Sequence, residues 1–212
     1  MTTPMSRDNF SSLNAPAKPL LIVLSGLSGV GKDTVLAGLR KADLPLVISI
    51  SATTRARRAS EKDGVDYYFV SKDKFQEMID ANQLLEWATV YGNRYGIPKE
   101  PVRQWLQKGK DVLVKIDVQG AATIKKNVPQ AVFIFLCTMS LDELEKRLRK
   151  RRTESAEELD LRLKTAEKEL GQLGMFDYVI VNRENEVERT IADVRAIIAA
   201  EKCRVVQREI NL

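Results

Sequence analysis

The residues best equipped for chemistry in this 212-residue chain lie between Gly26 and Thr34. The segment from Leu20 to Thr34 reads LLIVLSGLSGVGKDT. Gly26-x-x-x-x-Gly31-Lys32 fits a phosphate-binding loop, whose backbone N–H groups cradle phosphate oxygens while a lysine adds a point charge. Such a loop needs a strand before it and a helix after it. Leu20–Leu24 supplies an apolar run, and Val35, Leu36 and Leu39 follow at helical spacing. The expected polyphosphate contacts are Gly26, Leu27, Ser28, Gly29, Val30, Gly31, Lys32, Asp33 and Thr34. The pattern calls for Ser or Thr directly after the lysine. Asp33 stands there instead, and Thr34 comes one place late.

Other residues could handle a second phosphorylated ligand. Arg55 and Arg58, in TTRARR, carry forked donors that match a pair of phosphate oxygens. Tyr67 and Tyr95 can add phenolic donors. Glu86 sits inside the apolar stretch LLEWATVY, where an unpartnered carboxylate is costly. Arg147 and Arg151 are spaced to share a helix face, and Arg162 lies on the next expected helix. Cations of this kind stabilise charge on a transferring phosphoryl group.

Composition removes several classes of chemistry. The chain has no histidine, which excludes histidine bases, histidine-ligated metals and Ser-His triads. Its two cysteines, Cys137 and Cys203, form no zinc spacing and suit idle thiols in a reducing compartment. No apolar run approaches a membrane span, so a cytoplasmic protein without membrane contact is expected. The net charge of +5 serves a site that gathers polyphosphates as well as it would serve nucleic acid. Residues 1–19 are rich in Ser, Thr, Pro and Asn and read as a disordered tail.

The elements that must position these groups alternate along the chain. Buried strands are expected at 20–25, 46–51, 111–117, 132–137 and 178–181. Helices are expected after the loop to about Ala42, then at 101–108 with Val102, Trp105 and Leu106 inward, at 121–127, around Leu141–Leu148, around Leu159–Leu170 and at 187–198. This alternation predicts an α/β domain: a five-stranded, mostly parallel sheet with helices on both faces. Residues 53–100 break the alternation and read as a small inserted unit. It has strands at 66–70 and 84–91, a Ser71-capped helix with Phe75, Met78 and Ile79 on one face, and turn chemistry at Asn93–Pro98.

Taken together and in order, the phosphate loop, TTRARR, DYYF, LEW, YG and IDVQG resemble the guanylate kinase family. The resemblance covers about residues 20–200. It implies a P-loop kinase fold with a core (20–52, 101–142, 171–204), a mixed GMP-binding insertion (53–100), a helical lid (143–170) and a C-terminal tail (205–212). It implies transfer of the γ-phosphoryl of ATP to GMP, with dGMP as a possible acceptor, with Mg2+ as cofactor and with no nucleic-acid partner. By the same resemblance Arg55, Arg58, Tyr67 and Tyr95 hold the GMP phosphate. Glu86 and Ser51 read guanine, Asp117 belongs to the GMP site, and Asn182 lies near adenine. Lys32, Arg147, Arg151 and Arg162 serve the transferring phosphoryl.

The chain departs from the family pattern in places. Ile97 stands where a second guanine-reading hydroxyl is usual, and Arg152 stands where a glycine is usual. Lys115 replaces an acidic residue two places before Asp117. Asp33 and Lys115 are therefore expected to have exchanged charge and to form a salt bridge within about 4 Å, with Asp33 helping to hold magnesium or its waters. A partner-binding module of the same fold, a kinase for a ribose bisphosphate, and a basic nucleic-acid binder are the competing readings.

Overall fold

The computed structural model describes residues 16–42, 44–90, 92–150 and 156–212. Strand β1 (Leu21–Gly26) is buried along its whole length. It lies at the centre of a five-stranded sheet with β2 (Leu46–Ile48), β7 (Asp111–Lys115), β8 (Val132–Cys137) and β9 (Tyr178–Val181). The order is β2-β7-β1-β8-β9, and every neighbouring pair is parallel.

Alternate residues of β1 point to opposite faces. Ile22 and Leu24 join the core formed with helices α1 (Lys32–Lys41), α5 (Leu141–Lys150), α6 (Ala156–Leu170) and α7 (Val187–Lys202). Leu21 and Val23 join the core formed with α3 (Lys99–Gln107) and α4 (Val118–Asn127). Continuous apolar strands covered on both faces are what an all-parallel sheet requires.

The insertion builds a second sheet of mixed direction, β4-β3-β6-β5. Its strands are β3 (Ala52–Thr53), β4 (Tyr68–Phe69), β5 (Leu84–Val90) and β6 (Asn93–Pro98). Helix α2 (Lys72–Asp80) packs Phe75 onto Ala52 and Leu84, with Met78 and Ile79 alongside. Ser71 caps it as expected, its hydroxyl accepting from the Lys74 N–H at 3.0 Å.

Three readings need correction. Asn93–Pro98 is a strand, not a turn. The turn comes earlier, at Gly92 with φ 75°. Gly96 sits inside the strand opposite Trp87, where a Cβ would come within 3.0 Å of the Glu86 carbonyl oxygen, so this glycine serves close packing. The strand begun at Leu46 ends at Ile48; the chain then crosses over and enters the second sheet at Ala52. Trp105 is not inward but 38% exposed, with the Lys108 ammonium 4.8 Å from its ring centroid.

Residues 205–212 carry no helix or strand, yet they lie against the core. Arg208 bonds Glu201 and the Ala131 carbonyl, and Ile210 and Leu212 pack on the α3–α4 side.

Candidate active site

The loop between β1 and α1 has its geometry dictated by glycine. Gly26 adopts φ 141°, and a Cβ there would stand 2.1 Å from the Leu136 carbonyl oxygen of β8. Gly31, at φ 99°, is the residue before α1 and turns the loop into the helix. The Lys32 ammonium donates to the carbonyls of Gly26 at 2.6 Å and Leu27 at 3.1 Å. Burial, reinforced by the nearby Lys115 charge, pulls its pKa down to about 8; Glu169, Asp33 and Asp117 oppose that shift. Thr34 is exposed in the first turn of α1.

Two of the expected site residues brace this loop from behind. Asn182 is 5% exposed and donates to the Val30 carbonyl at 2.7 Å, while its own oxygen accepts from Thr190 at 2.9 Å. Arg147 donates to the Val30 carbonyl at 3.1 Å and the Asn182 carbonyl at 2.7 Å, and it pairs with Glu143. Arg162 reaches the loop from α6, donating to the Ser28 hydroxyl at 3.2 Å. Arg151 lies outside the described residues.

Asp33 and Lys115 meet as expected. The ammonium of Lys115, at the end of β7, stands 2.7 Å from Asp33 Oδ1. The register explains why: Lys115 lies beside Leu24 of β1, so its side chain emerges next to the first turn of α1.

Across the cleft, Arg55 lies near the rings of Tyr67 (5.6 Å) and Phe69 (5.8 Å), and the Tyr67 and Tyr95 rings are 6.0 Å apart. The Arg55 guanidinium bonds Glu61 at 2.7 Å, and Glu61 also accepts from the Arg58 N–H at 2.9 Å. Arg58 itself is exposed. Ser51, Tyr67, Glu61, Asp33 and Lys115 line one cavity of about 180 Å³.

Glu86 comes from β5 but turns toward the first turn of α4. Burial, and then the negative charge of Asp117, push its pKa up to about 7. Asp117 caps α4, accepting from the Gly120 N–H at 2.7 Å. Gly120 leaves the space Glu86 occupies, since a Cβ at 120 would lie 2.8 Å from Glu86 Oε2. Ile97, the residue in place of a hydroxyl, is 1% exposed and belongs to the core.

Sequence reasoning missed three participants. Glu169 accepts from the loop's Ser28 N–H at 3.2 Å; its position seven residues after Arg162, two turns along one helix face, was the available signal. Glu61 restrains Arg55, and Gly120 makes room for Glu86. Neither of these has a sequence signal of its own.

This arrangement can hold one polyphosphate on backbone amides and a second phosphate on side chains, with cations between them. Residues 18–201 match the guanylate kinase family. The chain is 48% identical to a guanylate kinase from Caldanaerobacter subterraneus subsp. tengcongensis over 88% of this chain and 89% of that protein. It is 44% identical to the chloroplastic/mitochondrial guanylate kinase 2 of Oryza sativa subsp. japonica, over 96% of this chain and 72% of that protein. The chain belongs to the guanylate kinase family. The crystal structure of guanylate kinase from Anaplasma phagocytophilum superposes with a TM-score of 0.69 at 32% identity, over 90% of this chain and 89% of that one. Family membership accounts for the two-sheet plan, since a phosphoryl donor and a nucleotide acceptor need separate cradles. No helix among the described residues is long and apolar enough to cross a membrane.

Proposed function

We propose that the chain transfers the γ-phosphoryl of ATP to GMP, giving ADP and GDP, with the donor on the β1–α1 loop and the acceptor between the insertion and α4. The observation that carries this reading is the pairing of a glycine-built phosphate loop with a buried carboxylate, Glu86, the charge of Asp117 being felt by both Glu86 and the loop's Lys32. Guanine offers its N1–H and N2–H donors side by side, and a carboxylate accepts both. Adenine has no such pair.

In this reading the loop amides and Lys32 hold the β- and γ-phosphates of ATP. Arg55, Arg58, Tyr67 and Tyr95 orient the acceptor phosphate, and Ser51 assists Glu86 with the base. Arg55 must exchange Glu61 for phosphate when GMP arrives. Arg162, already bonded to the loop through Ser28, turns to the transferring group; Arg151 is assigned to the same group by the family resemblance alone. Arg147 and Asn182 fix the loop's shape by holding Val30. Such chemistry depends chiefly on positioning and electrostatic stabilisation.

Magnesium fits the site as a phosphate-borne ion. Among the described residues no cluster of three or more His, Cys, Asp or Glu converges on a metal position. Mg2+ commonly keeps its waters and uses one or two carboxylates together with substrate phosphates. Asp33, at the mouth of the loop, is the carboxylate that would hold it or its waters. Bound there, the ion would neutralise charge on the β- and γ-phosphates. A reducing aqueous compartment suits the chain, since Cys137 and Cys203 are both free thiols.

ADP release should be measured with GMP, dGMP, AMP, UMP and no acceptor. Turnover with GMP, less with dGMP and almost none with the others is expected. Equal rates with AMP or UMP, or release without acceptor, would overturn the assignment.

A further inference from the structure

Lys115 lines the same cavity as Ser51 and Tyr67, two residues assigned to the GMP site, and its ammonium is held 2.7 Å from Asp33 of the donor side. We propose that Lys115 is a phosphate-binding residue of the acceptor side. Its ammonium contacts the phosphate of the bound monophosphate from the carboxyl end of the core sheet, while Arg55 and Tyr67 approach it from the insertion. This inference rests on the GMP reading given above.

The position supports it. Lys115 ends β7 beside Leu24 of β1, and the Ile116 N–H bonds the Leu24 carbonyl at 3.2 Å. Ligands of parallel α/β sheets bind outside the carboxyl ends of the strands. Lys115 is thus fixed on a rigid element between the donor loop and the insertion.

The charges around it support it too. The cavity is lined by Arg40 and Lys115 on one side of the balance and by Asp33, Glu61 and Asp66 on the other. Each of these carboxylates has a protein partner: Asp33 has Lys115, Glu61 has Arg55 and the Arg58 N–H, and Asp66 accepts from the Lys62 N–H at 2.8 Å. A solvent-facing lysine gains little from a surface ion pair. Lys115 is nonetheless only one-third exposed and close enough to Lys32 for their charges to repel. Held by Asp33 at the cavity wall and repelled by Lys32, the ammonium can pass to a doubly charged anion that enters the cavity. Ser49, whose hydroxyl is buried without a hydrogen-bond partner, also lines the cavity. A dianionic phosphate supplies both the counter-charge and an acceptor.

Asp33 then acts as the holder of Lys115 until the phosphate arrives. On this account the two residues touch but serve different ligands: Lys115 serves the acceptor phosphate, and Asp33 serves the donor. The alternative makes Lys115 no more than a counter-ion to Asp33.

Calorimetric titration with GMP, without ATP or magnesium, separates the two on the wild type, Lys115→Met, Lys115→Arg and Asp33→Asn. Guanosine, followed by ligand-observed NMR, is the probe that lacks a phosphate. Losing a hydrogen bond to a charged group should weaken GMP binding by about 10–100-fold in Lys115→Met. Guanosine binding and the unfolding temperature should not change. Lys115→Arg should recover most of the loss, and Asp33→Asn should bind GMP as well as the wild type or better. The inference is overturned if Lys115→Met binds GMP normally, if it loses GMP and guanosine alike, or if Asp33→Asn weakens GMP as much as Lys115→Met does. Failure of the wild type to bind GMP would instead defeat the GMP reading itself.

Discussion

In the proposed reading, the donor and acceptor halves of the site are built on different principles. The donor half is backbone: Gly26, Gly29 and Gly31 all adopt positive φ, and the phosphate-facing donors are main-chain amides at the end of a strand buried on both faces. The acceptor half is side chain: Arg55, Tyr67, Tyr95 and Glu86 project from a small sheet with its own cluster of Ala52, Phe75 and Leu84, while its Leu85 and Ile97 pack into the core beside α3 and α4. The difference matches what each half must recognise. A polyphosphate is repetitive, and a row of amides suits it. A base must be told from other bases, and that takes particular side chains in particular places. The donor half is also spaced by close contacts, such as that of Gly26 with Leu136, so it has little freedom to move. The acceptor half makes fewer buried contacts and is the half expected to travel as the cleft closes.

The comparison can be broken most severely at Lys32. Lys32→Met removes a charge from the donor half, together with its hydrogen bonds to the Gly26 and Leu27 carbonyls. Turnover should fall on the order of 10³–10⁵-fold, the scale of a cation acting on a transferring phosphoryl, while GMP binding persists. Rapid-quench measurement of the chemical step, with calorimetry for GMP, checks it. Loss of GMP binding as well would mean that the halves are not separable.

Next comes Glu86→Gln, which turns one acceptor into a donor facing the guanine N–H groups. Sites that read hydrogen bonds discriminate by up to ~10⁴–10⁵. With Ile97 in place of a second hydroxyl, a smaller ratio of GMP to AMP is expected in the natural enzyme. The substitution should remove most of what ratio there is. The wild type should also show a pH dependence that the variant lacks. The carboxyl of Glu86 is raised to about 7 in the absence of ligand, through burial and Asp117, and guanine needs it ionised. GMP affinity should therefore rise as pH rises through 7 and level off above it. At pH 6 the Glu86 contribution should weaken binding about tenfold, the cost of deprotonating one group a unit below its pKa. The phosphate of GMP titrates in both proteins, so the difference in slope between them is the measure. Equal slopes would remove Glu86 as base reader.

A smaller effect joins the halves at Asp33 and Lys115. Each single change, Asp33→Ser and Lys115→Ala, should lower magnesium-dependent turnover, and the double change should cost less than the sum. Contacting residues couple by about 0.5–3 kcal/mol. Strict additivity in kcat/KM for ATP would show that the 2.7 Å contact carries no functional coupling.

The two halves were also unequally legible. The donor loop could be read from strand, glycines and lysine, because its chemistry fixes the spacing within one local segment. The core strands Val132–Cys137 and Tyr178–Val181 were legible to the residue, since burial on both faces leaves an unbroken apolar run. Asn93–Pro98 was not, because a strand carrying Gly96 for packing and ending in Pro98 has the composition of a turn. The acceptor residues were found only through the whole set of motifs. Their meaning depends on contacts between distant segments, such as Glu86 with Gly120. Glu61 stayed hidden for the same reason: an exposed-looking glutamate acquires a partner only when the fold supplies one. The Asp33–Lys115 contact was legible because the chain departs from the family pattern at both places with opposite signs, an acid in the first turn of α1 and a base at the end of β7.

The mildest change tests whether the acceptor half is the less stable one. Ser71→Ala deletes the cap of α2, whose hydroxyl accepts from Lys74 N–H at 3.0 Å. Losing such a cap costs about 1 kcal/mol. In a unit that opened only with the whole domain, that cost would appear as a uniform fall in protection from hydrogen exchange. If the small sheet opens by itself, the fall should be confined to α2 and strands β3–β6, roughly fivefold in exchange rate for 1 kcal/mol. The amides of β1, β7 and β8 should exchange as before. GMP should restore the lost protection, because it ties the insertion to α4 through Glu86; ATP alone should not. Uniform loss across both sheets would mean that the halves fold and open as one body, and that closure does not draw on a separately yielding acceptor half.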